Sequence, residues 1–276
     1  MIGAVLAAAI ADTVPEEGVL LWWLGQAGVA VRSKSSLFVI DPFLTDYGSF
    51  GRLYPPPFQP EDLVGVHAFI ATHDHADHID PDGLPRLLAA SPGSALVVPA
   101  PAYDRVAGLV GAGRVRAAFV DRPLSFAGAT VTPLPALHGE TPTGGYGFHL
   151  DGGGNYPYLG YVLEVAGVRI CHTGDTLVYD GLAERLRAVE PDALFVPING
   201  ASWFRERRGL VGNMNVFEAA ELSELSGARI TVPIHWDLFA DNVEDPQHFV
   251  RYANQRHPGV TVVIPAIGDP IAVTPH

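Results

Sequence analysis

Residues 72–78 read Thr72-His73-Asp74-His75-Ala76-Asp77-His78, directly after the apolar run Val66 to Ala71. Neutral imidazole and ionised carboxylate are the ligands that zinc, manganese and iron share, whereas a closed structural zinc site is usually rich in thiolate. Cys171 is the sole cysteine of the chain. His73 and His75 stand two apart, so on extended backbone they project to the same side, while Asp77 and His78 fall where the chain turns towards the next helix. One loop can therefore feed two adjacent cation positions. His138, Asp175 and His235 each close an apolar run as well, in Leu134-Pro135-Ala136-Leu137-His138, Cys171-His172-Thr173-Gly174-Asp175 and Val232-Pro233-Ile234-His235. A strand end holds a side chain in fixed geometry, and the three join the loop as expected ligands.

The elements that must position these residues follow from the patterning. Val19 to Leu24, Gly28 to Arg32 and Leu37 to Ile40 read as strands, followed by Val66 to Ala71 and, after a helix from Pro81 to Ala90 capped by Asp80, by a strand at Ala95 to Pro99. A helix near Ala102 to Val110 and strands at Val115 to Val120 and Thr130 to Leu134 complete the first half. The second half repeats the rhythm, with strands at Tyr161 to Val165, Val168 to His172, Ala193 to Pro197, Ile230 to Ile234 and Val260 to Ile264. Helices fall at Leu182 to Val189, Val216 to Ser226 and Pro246 to Arg256. Two such halves predict two sheets packed face to face with helices outside, a four-layer αββα sandwich of class α/β.

Bulk properties narrow the function classes. The 276 residues, 48% hydrophobic, suit one domain over residues 1–276, with residues 1–18 as an N-terminal docking segment. That segment lacks the positive start of a secretory leader and its apolar stretch is too short to span a bilayer, so a cytoplasmic protein without membrane attachment is expected. The net charge of −13 disfavours long nucleic acids as partners. A small-molecule substrate is the expected partner, and the apolar N-terminus leaves room for a homo-oligomer. Against the acidic background, Arg205, Arg207 and Arg208 are candidates for binding an anionic substrate, since arginine's fork fits phosphate and carboxylate. The segment Gly139 to Gly160, rich in glycine and tyrosine, reads as a flap over the site. His67 and His172 lie inside strands and are expected to be hydrogen-bonded core residues.

The order His-x-His-x-Asp-His, then His138, Asp175 and His235, resembles the metallo-β-lactamase superfamily from about residue 20 to residue 265. The resemblance implies that His73, His75 and His138 form a first metal site, that Asp77, His78 and His235 form a second, and that Asp175 bridges them. Asp41, in Val39-Ile40-Asp41-Pro42, matches an aspartate that supports the metal loop without binding metal. A narrower resemblance, to the L-ascorbate-6-phosphate lactonase-like branch, is carried by Trp22 to Gly28, Ile40 to Asp46, Pro197-Ile198-Asn199-Gly200, Gly212-Asn213-Met214-Asn215 and Pro233-Ile234-His235-Trp236-Asp237. It places Asn199, Asn213 and Trp236 among the substrate-binding candidates. The chain departs from that branch at Ala201-Ser202, where the branch carries an Arg-Asp pair, and in the loop 139–160.

The resemblance implies a hydrolase in which one or two divalent cations, zinc, manganese or iron, activate water against a lactone or related ester of a small anionic substrate. Asp77 would orient that water or move its proton. A phosphodiesterase on a small phosphodiester, and a non-catalytic metal-binding protein, are the alternatives.

Overall fold

A computed structural model describes residues 2–46 and 51–276. Met1, the first residue of the expected docking segment, lies outside the described residues. The chain runs α1 (Ile2–Asp12), β1 (Val19–Gly25), β2 (Gly28–Ser33), β3 (Leu37–Ile40), β4 (Ala68–Ile70), α2 (Gly83–Ala90), β5 (Ala95–Pro99), α3 (Tyr103–Val110) and β6 (Val115–Ala118). It continues through β7 (Leu124–Phe126), β8 (Ala129–Pro135), β9 (Leu159–Val165), β10 (Val168–His172), α4 (Leu182–Val189), β11 (Ala193–Pro197), α5 (Trp203–Arg207), α6 (Val216–Ser226), β12 (Ile230–Ile234), α7 (Pro246–Arg256) and β13 (Ile271–Val273). Among the described residues these strands make one sheet in the order β13-β1-β2-β3-β4-β5-β6 and another in the order β12-β11-β10-β9-β8-β7. Both are mixed: β3 to β6 pair in parallel, as do β10, β11 and β12, and the hairpins are antiparallel.

Successive strand residues point to opposite faces, and here both faces are buried. Leu21 and Trp23 of β1, Ile70 of β4, Ile170 of β10 and Phe195 of β11 fill the space between the sheets. Their neighbours Trp22 and Leu24, and Phe69 of β4, face outward against Ala7 and Ile10 of α1, Leu84, Leu87 and Leu88 of α2 and Val106 of α3. On the far side, Cys171, Leu194 and Val196 meet Leu182 and Leu186 of α4, Ala219, Ala220 and Leu222 of α6, and Phe249 and Ala253 of α7. Three apolar layers between four layers of structure are the αββα sandwich expected from the sequence. Burial on both faces also explains why the strands read as continuous apolar runs rather than alternating ones.

Several boundaries differ from the sequence reading. α2 begins at Gly83, not Pro81, because the Asp80 carboxylate is engaged on both sides: it accepts from the Gly83 and Asp82 N–H groups and also from Leu44 N–H and Thr45 Oγ1. Asp80 thus ties the start of the helix to the segment after β3. Val260 to Ile264 is not a strand; between Pro258-Gly259 and Pro265 it makes a single parallel bridge, Thr231 to Val262, along the edge of β12. The three-residue edge strands β7 and β13 and the short helix α5 have no counterpart in the sequence reading. β13 pairs with β1 through Val19 and Val273, a contact that no local pattern announces.

Candidate metal centre

The expected ligands converge at the end of the sandwich where β4, β8, β10 and β12 finish. The loop after β4 is anchored by Asp41, which follows β3 and is fully buried. Asp41 accepts from Thr72 N–H at 2.8 Å, from Thr72 Oγ1 at 2.7 Å and from His78 Nδ1 at 2.7 Å. With its Nδ1 committed to a carboxylate, His78 turns Nε2 towards Asp175 Oδ1 at 3.5 Å and Asp77 Oδ2 at 3.6 Å. His73 is oriented the same way through Nδ1 and Thr72 Oγ1, 3.0 Å apart, and its Nε2 lies 2.8 Å from His75 Nδ1. His138 is held by backbone bonds in both directions to Gly147. Gly174, at φ 64°, makes the turn that delivers Asp175, and a Cβ there would stand 2.3 Å from the Leu159 carbonyl oxygen.

Asp175 occupies the centre: its Oδ2 is 3.0 Å from His235 Nε2 and 3.7 Å from His138 Nε2. Ligand atoms of His73, His75 and His138 lie within 4.8 Å of one another, as do those of His73, His78 and Asp175, and those of Asp77, His78 and His235. The structure thus brings together all seven residues named in the sequence. Their fit to a cation is visible in His78 Nε2 and Asp175 Oδ1, which are buried and face each other at 3.5 Å without a hydrogen bond, an arrangement that is costly unless something else satisfies them. The donors are all imidazole nitrogen and carboxylate oxygen, because Cys171 sits on the outer face of β10.

Electrostatics divide the imidazoles into two groups. Burial lowers His73 and His75 and brings His138 down to about 3, so these three are neutral and present a lone pair. Burial acts on His78 and His235 as well, but there the surrounding carboxylates outweigh it: Asp175, Asp41 and Asp77 raise His78 well above its ordinary value, and Asp175 with Asp77 raises His235 to about 9. In return, and against burial, His78 and His235 hold Asp77 and Asp175 ionised far below the usual carboxylate range.

Three residues at this end adopt left-handed backbone although none is glycine: Gln26 (φ 52°), Asp41 (φ 46°) and His235 (φ 60°). Gln26 is not among the residues that the sequence singles out. It belongs to the turn between β1 and β2, and its side-chain nitrogen reaches Asp77 Oδ2 at 2.8 Å and His235 Nε2 at 3.0 Å. Tyr158, also absent from the sequence reading, packs its ring against His73 and His138 with centroids 5.6 Å and 5.3 Å apart. The gap between the expected strands Val19 to Leu24 and Gly28 to Arg32 marks where Gln26 lies but not what it touches.

The centre opens into a cleft of about 490 Å³ whose lining includes His75, Asp77, His138, Asp175 and His235, the apolar residues Leu210, Val211, Phe239 and Ala240, and the polar residues Glu140, Asp241 and Asn242. The arginine candidates do not line it. Arg205 gives its guanidinium to the carbonyls of Gly200, Val243 and Asp241, Arg207 lies over the Trp203 ring, and Arg208 pairs with Asp241. Asn199 and Asn213 are buried behind the cleft in an amide chain, Asn213 to Asn199 to Asn242, whose last member lines it. Trp236 points elsewhere, stacking on Trp23 at 5.2 Å in a separate hollow with Tyr54 and Ile267. His172 is a hydrogen-bonded core residue as expected, its Nε2 donating to the Ala27 carbonyl and its Nδ1 accepting from Gly174 N–H. His67 accepts from Leu37 N–H.

A sequence model described as a beta-lactamase superfamily domain matches residues 37–236, more than half of the chain. The chain therefore belongs to the beta-lactamase superfamily of metal-dependent hydrolases. It is 28% identical over 251 residues to a UPF0173 metal-dependent hydrolase of Methanosarcina mazei, a match covering 90% of this chain and 96% of that protein. It is 27% identical to N-acyl-phosphatidylethanolamine-hydrolyzing phospholipase D 1 of Caenorhabditis elegans, over 83% of this chain and 66% of that one. In fold it is similar to the crystal structure of isothiocyanate hydrolase from Delia radicum gut bacteria, with a TM-score of 0.71, 20% identity and coverage of 92% of this chain and 99% of that one. Among the described residues no helix is long and apolar enough to cross a membrane.

Proposed function

We propose that the chain hydrolyses a lactone or a related ester of a small molecule at this centre, with His73, His75 and His138 as ligands of one divalent cation, Asp77, His78 and His235 as ligands of a second, and Asp175 between them. The observation that carries the reading is the convergence of seven imidazole and carboxylate donors, two of their atoms buried without a hydrogen bond, at a cleft that five of the seven line. Zinc, manganese or iron held there would supply a Lewis acid for the scissile oxygen and an acidified water as nucleophile, so that no protein nucleophile is needed.

The residues of the chain have distinct tasks in this reading. Asp77 lines the cleft and is held ionised, which suits it to accept a hydrogen bond from the water and orient it. Asp41 fixes the His78 tautomer so that Nε2 faces the centre. The apolar wall of Leu210, Val211, Phe239 and Ala240 takes the substrate's hydrocarbon part. Lactone chemistry is supported by the segments that resemble the ascorbate-6-phosphate lactonase-like branch. A phosphate on the substrate is not, because Arg205 is held by backbone carbonyls, Arg207 lies over the Trp203 ring and Arg208 is paired with Asp241, while the cleft lining adds the carboxylate of Glu140. Glu140 in the lining favours an uncharged ester over the small anionic substrate expected from the sequence.

A second reading, hydrolysis of a small phosphodiester, is favoured by the similarity to the worm phospholipase D. Elemental analysis of the purified protein, followed by turnover of a lactone panel and of bis-p-nitrophenyl phosphate after metal loading, separates the two. Turnover of lactones above the phosphodiester supports the first reading, the reverse order supports the second, and the absence of any bound divalent cation removes both.

A further inference from the structure

Gln26 is 2% exposed and stands at φ 52°, a backbone conformation that costs any non-glycine residue unless its surroundings impose it. Here they do. The Gln26 carbonyl accepts from His235 N–H at 2.9 Å and from Trp23 Nε1 at 3.1 Å, and its N–H donates to Asp237 Oδ1 at 3.1 Å. The β1–β2 turn is thereby bolted to the stretch that follows β12 and carries His235. With the backbone pinned, the side chain enters the centre, placing its Nε2 2.8 Å from Asp77 Oδ2 and 3.0 Å from His235 Nε2. The amide must present its NH₂ there, since its carbonyl oxygen at that distance from a carboxylate oxygen would be repelled. Among the described residues, the amide donates to Asp77 and lies against His235 Nε2, whose own proton faces Asp175, and it makes no hydrogen bond to His73, His75 or His138.

We infer that Gln26 is a positioning residue that sets the cation affinity of the position formed by Asp77, His78 and His235, independently of the position formed by His73, His75 and His138. An N–H cannot donate to an imidazole nitrogen whose lone pair is given to a cation, so on cation binding the amide keeps Asp77 as its acceptor. It neutralises part of the negative field of that carboxylate without protonating it and holds Oδ2, leaving the carboxylate in one orientation towards the second position. Partners of this kind behind metal ligands commonly change affinity by about 10- to 100-fold when removed.

The inference rests on the two-cation assignment proposed above, and stepwise titration of the metal-free protein with Zn²⁺ against a chromophoric chelator tests it. Two variants are compared with the wild type: Gln26→Asn, which tolerates the left-handed backbone but is too short to reach Asp77, and Gln26→Met, which keeps length and bulk but has no donor. The expected result is a second equivalent weakened by about 10- to 100-fold in both variants, with the first equivalent unchanged within about twofold and thermal unfolding of the metal-free protein close to wild type. Two unchanged equivalents overturn the inference. So do equal losses at both equivalents or failure of both variants to fold, either of which makes Gln26 a structural residue. A wild type that takes up only one equivalent overturns it while leaving the hydrolase reading intact, whereas a wild type that takes up none removes the centre itself.

Discussion

Replacing Asp41 by asparagine separates the orientation of a ligand from its presence. Asp41 touches no solvent and accepts three hydrogen bonds, two from Thr72 and one from His78 Nδ1. Asparagine fits the same left-handed backbone at φ 46°. Its carbonyl oxygen can still accept from Thr72 N–H, and the Thr72 hydroxyl can rotate to accept from the new amide. His78 has no such freedom: facing an NH₂ donor, its Nδ1 must give up its proton and become an acceptor, which leaves the remaining ring proton on Nε2, the atom that faces Asp77 and Asp175. Ligating a cation then requires reversing the tautomer against a donor–donor contact, at the expense of one hydrogen bond to a charged group. That is about 1.5–3 kcal/mol, or a loss of about 10- to 150-fold in affinity at about 1.4 kcal/mol per decade. Competition with a chelator measures the affinity, and thermal unfolding of the metal-free variant reports whether the fold survives. An Asp41→Asn variant that folds as the wild type does and binds zinc within about twofold of it would falsify the tautomer argument.

Cation binding should also be linked to protons. His78 and His235 both carry protons at neutral pH, His235 with a value of about 9, so loading at pH 7 should release protons and affinity should climb with pH until it levels off above that value; calorimetry in two buffers of different ionisation enthalpy that showed no proton release would contradict this. In the metal-free protein the same two groups stabilise the fold fully below their unfolded value of about 6.5. The contribution of His235 should fade as pH rises through about 9, and that of His78 as pH rises through its own raised value, visible as a falling Tm that cation loading abolishes. Asp77→Asn should keep the fold and lose most turnover, so near-normal kcat with full metal content would remove Asp77 from the chemistry. Gly174→Ala places a Cβ 2.3 Å from the Leu159 carbonyl on a left-handed residue, and should lower both Tm and metal uptake because Asp175 follows directly; an unchanged Tm would show that the turn gives way. Phe195→Ala, emptying a fully buried position between the sheets, should cost about 3–5 kcal/mol in chemical denaturation, and a loss below about 1 kcal/mol would mean that the two sheets close over the gap.

The parts of the fold that were legible in the sequence are those whose cause is local. The runs that became β1, β3, β5 and β11 are apolar over their whole length because both of their faces are covered, and composition alone records that. α6 begins where Asn215 and Glu218 form a reciprocal cap, a pattern four residues long. Val260 to Ile264 misled because an apolar, β-branched run carries the same composition whether it pairs fully or, as here, makes one bridge between two prolines. β7 and β13 are too short to show a period, and they are strands because a neighbour offers an edge.

By itself the sequence determined the ligand types, their order and their attachment to strand ends, since residue identity and spacing along the backbone are covalent facts. It also placed Asp41 at the end of the strand beside the metal loop. Only the tertiary structure decided which imidazoles face carboxylates and hold protons, and which are merely buried and neutral. It alone committed Arg205 to backbone carbonyls and Arg208 to Asp241, and turned Trp236 towards Trp23. It alone brought Gln26 to Asp77 and His235, residues 51 and 209 positions away. The physical reason is common to all of these: a side chain's charge state and its partner depend on distances through space, and the packing of the two sheets sets those distances.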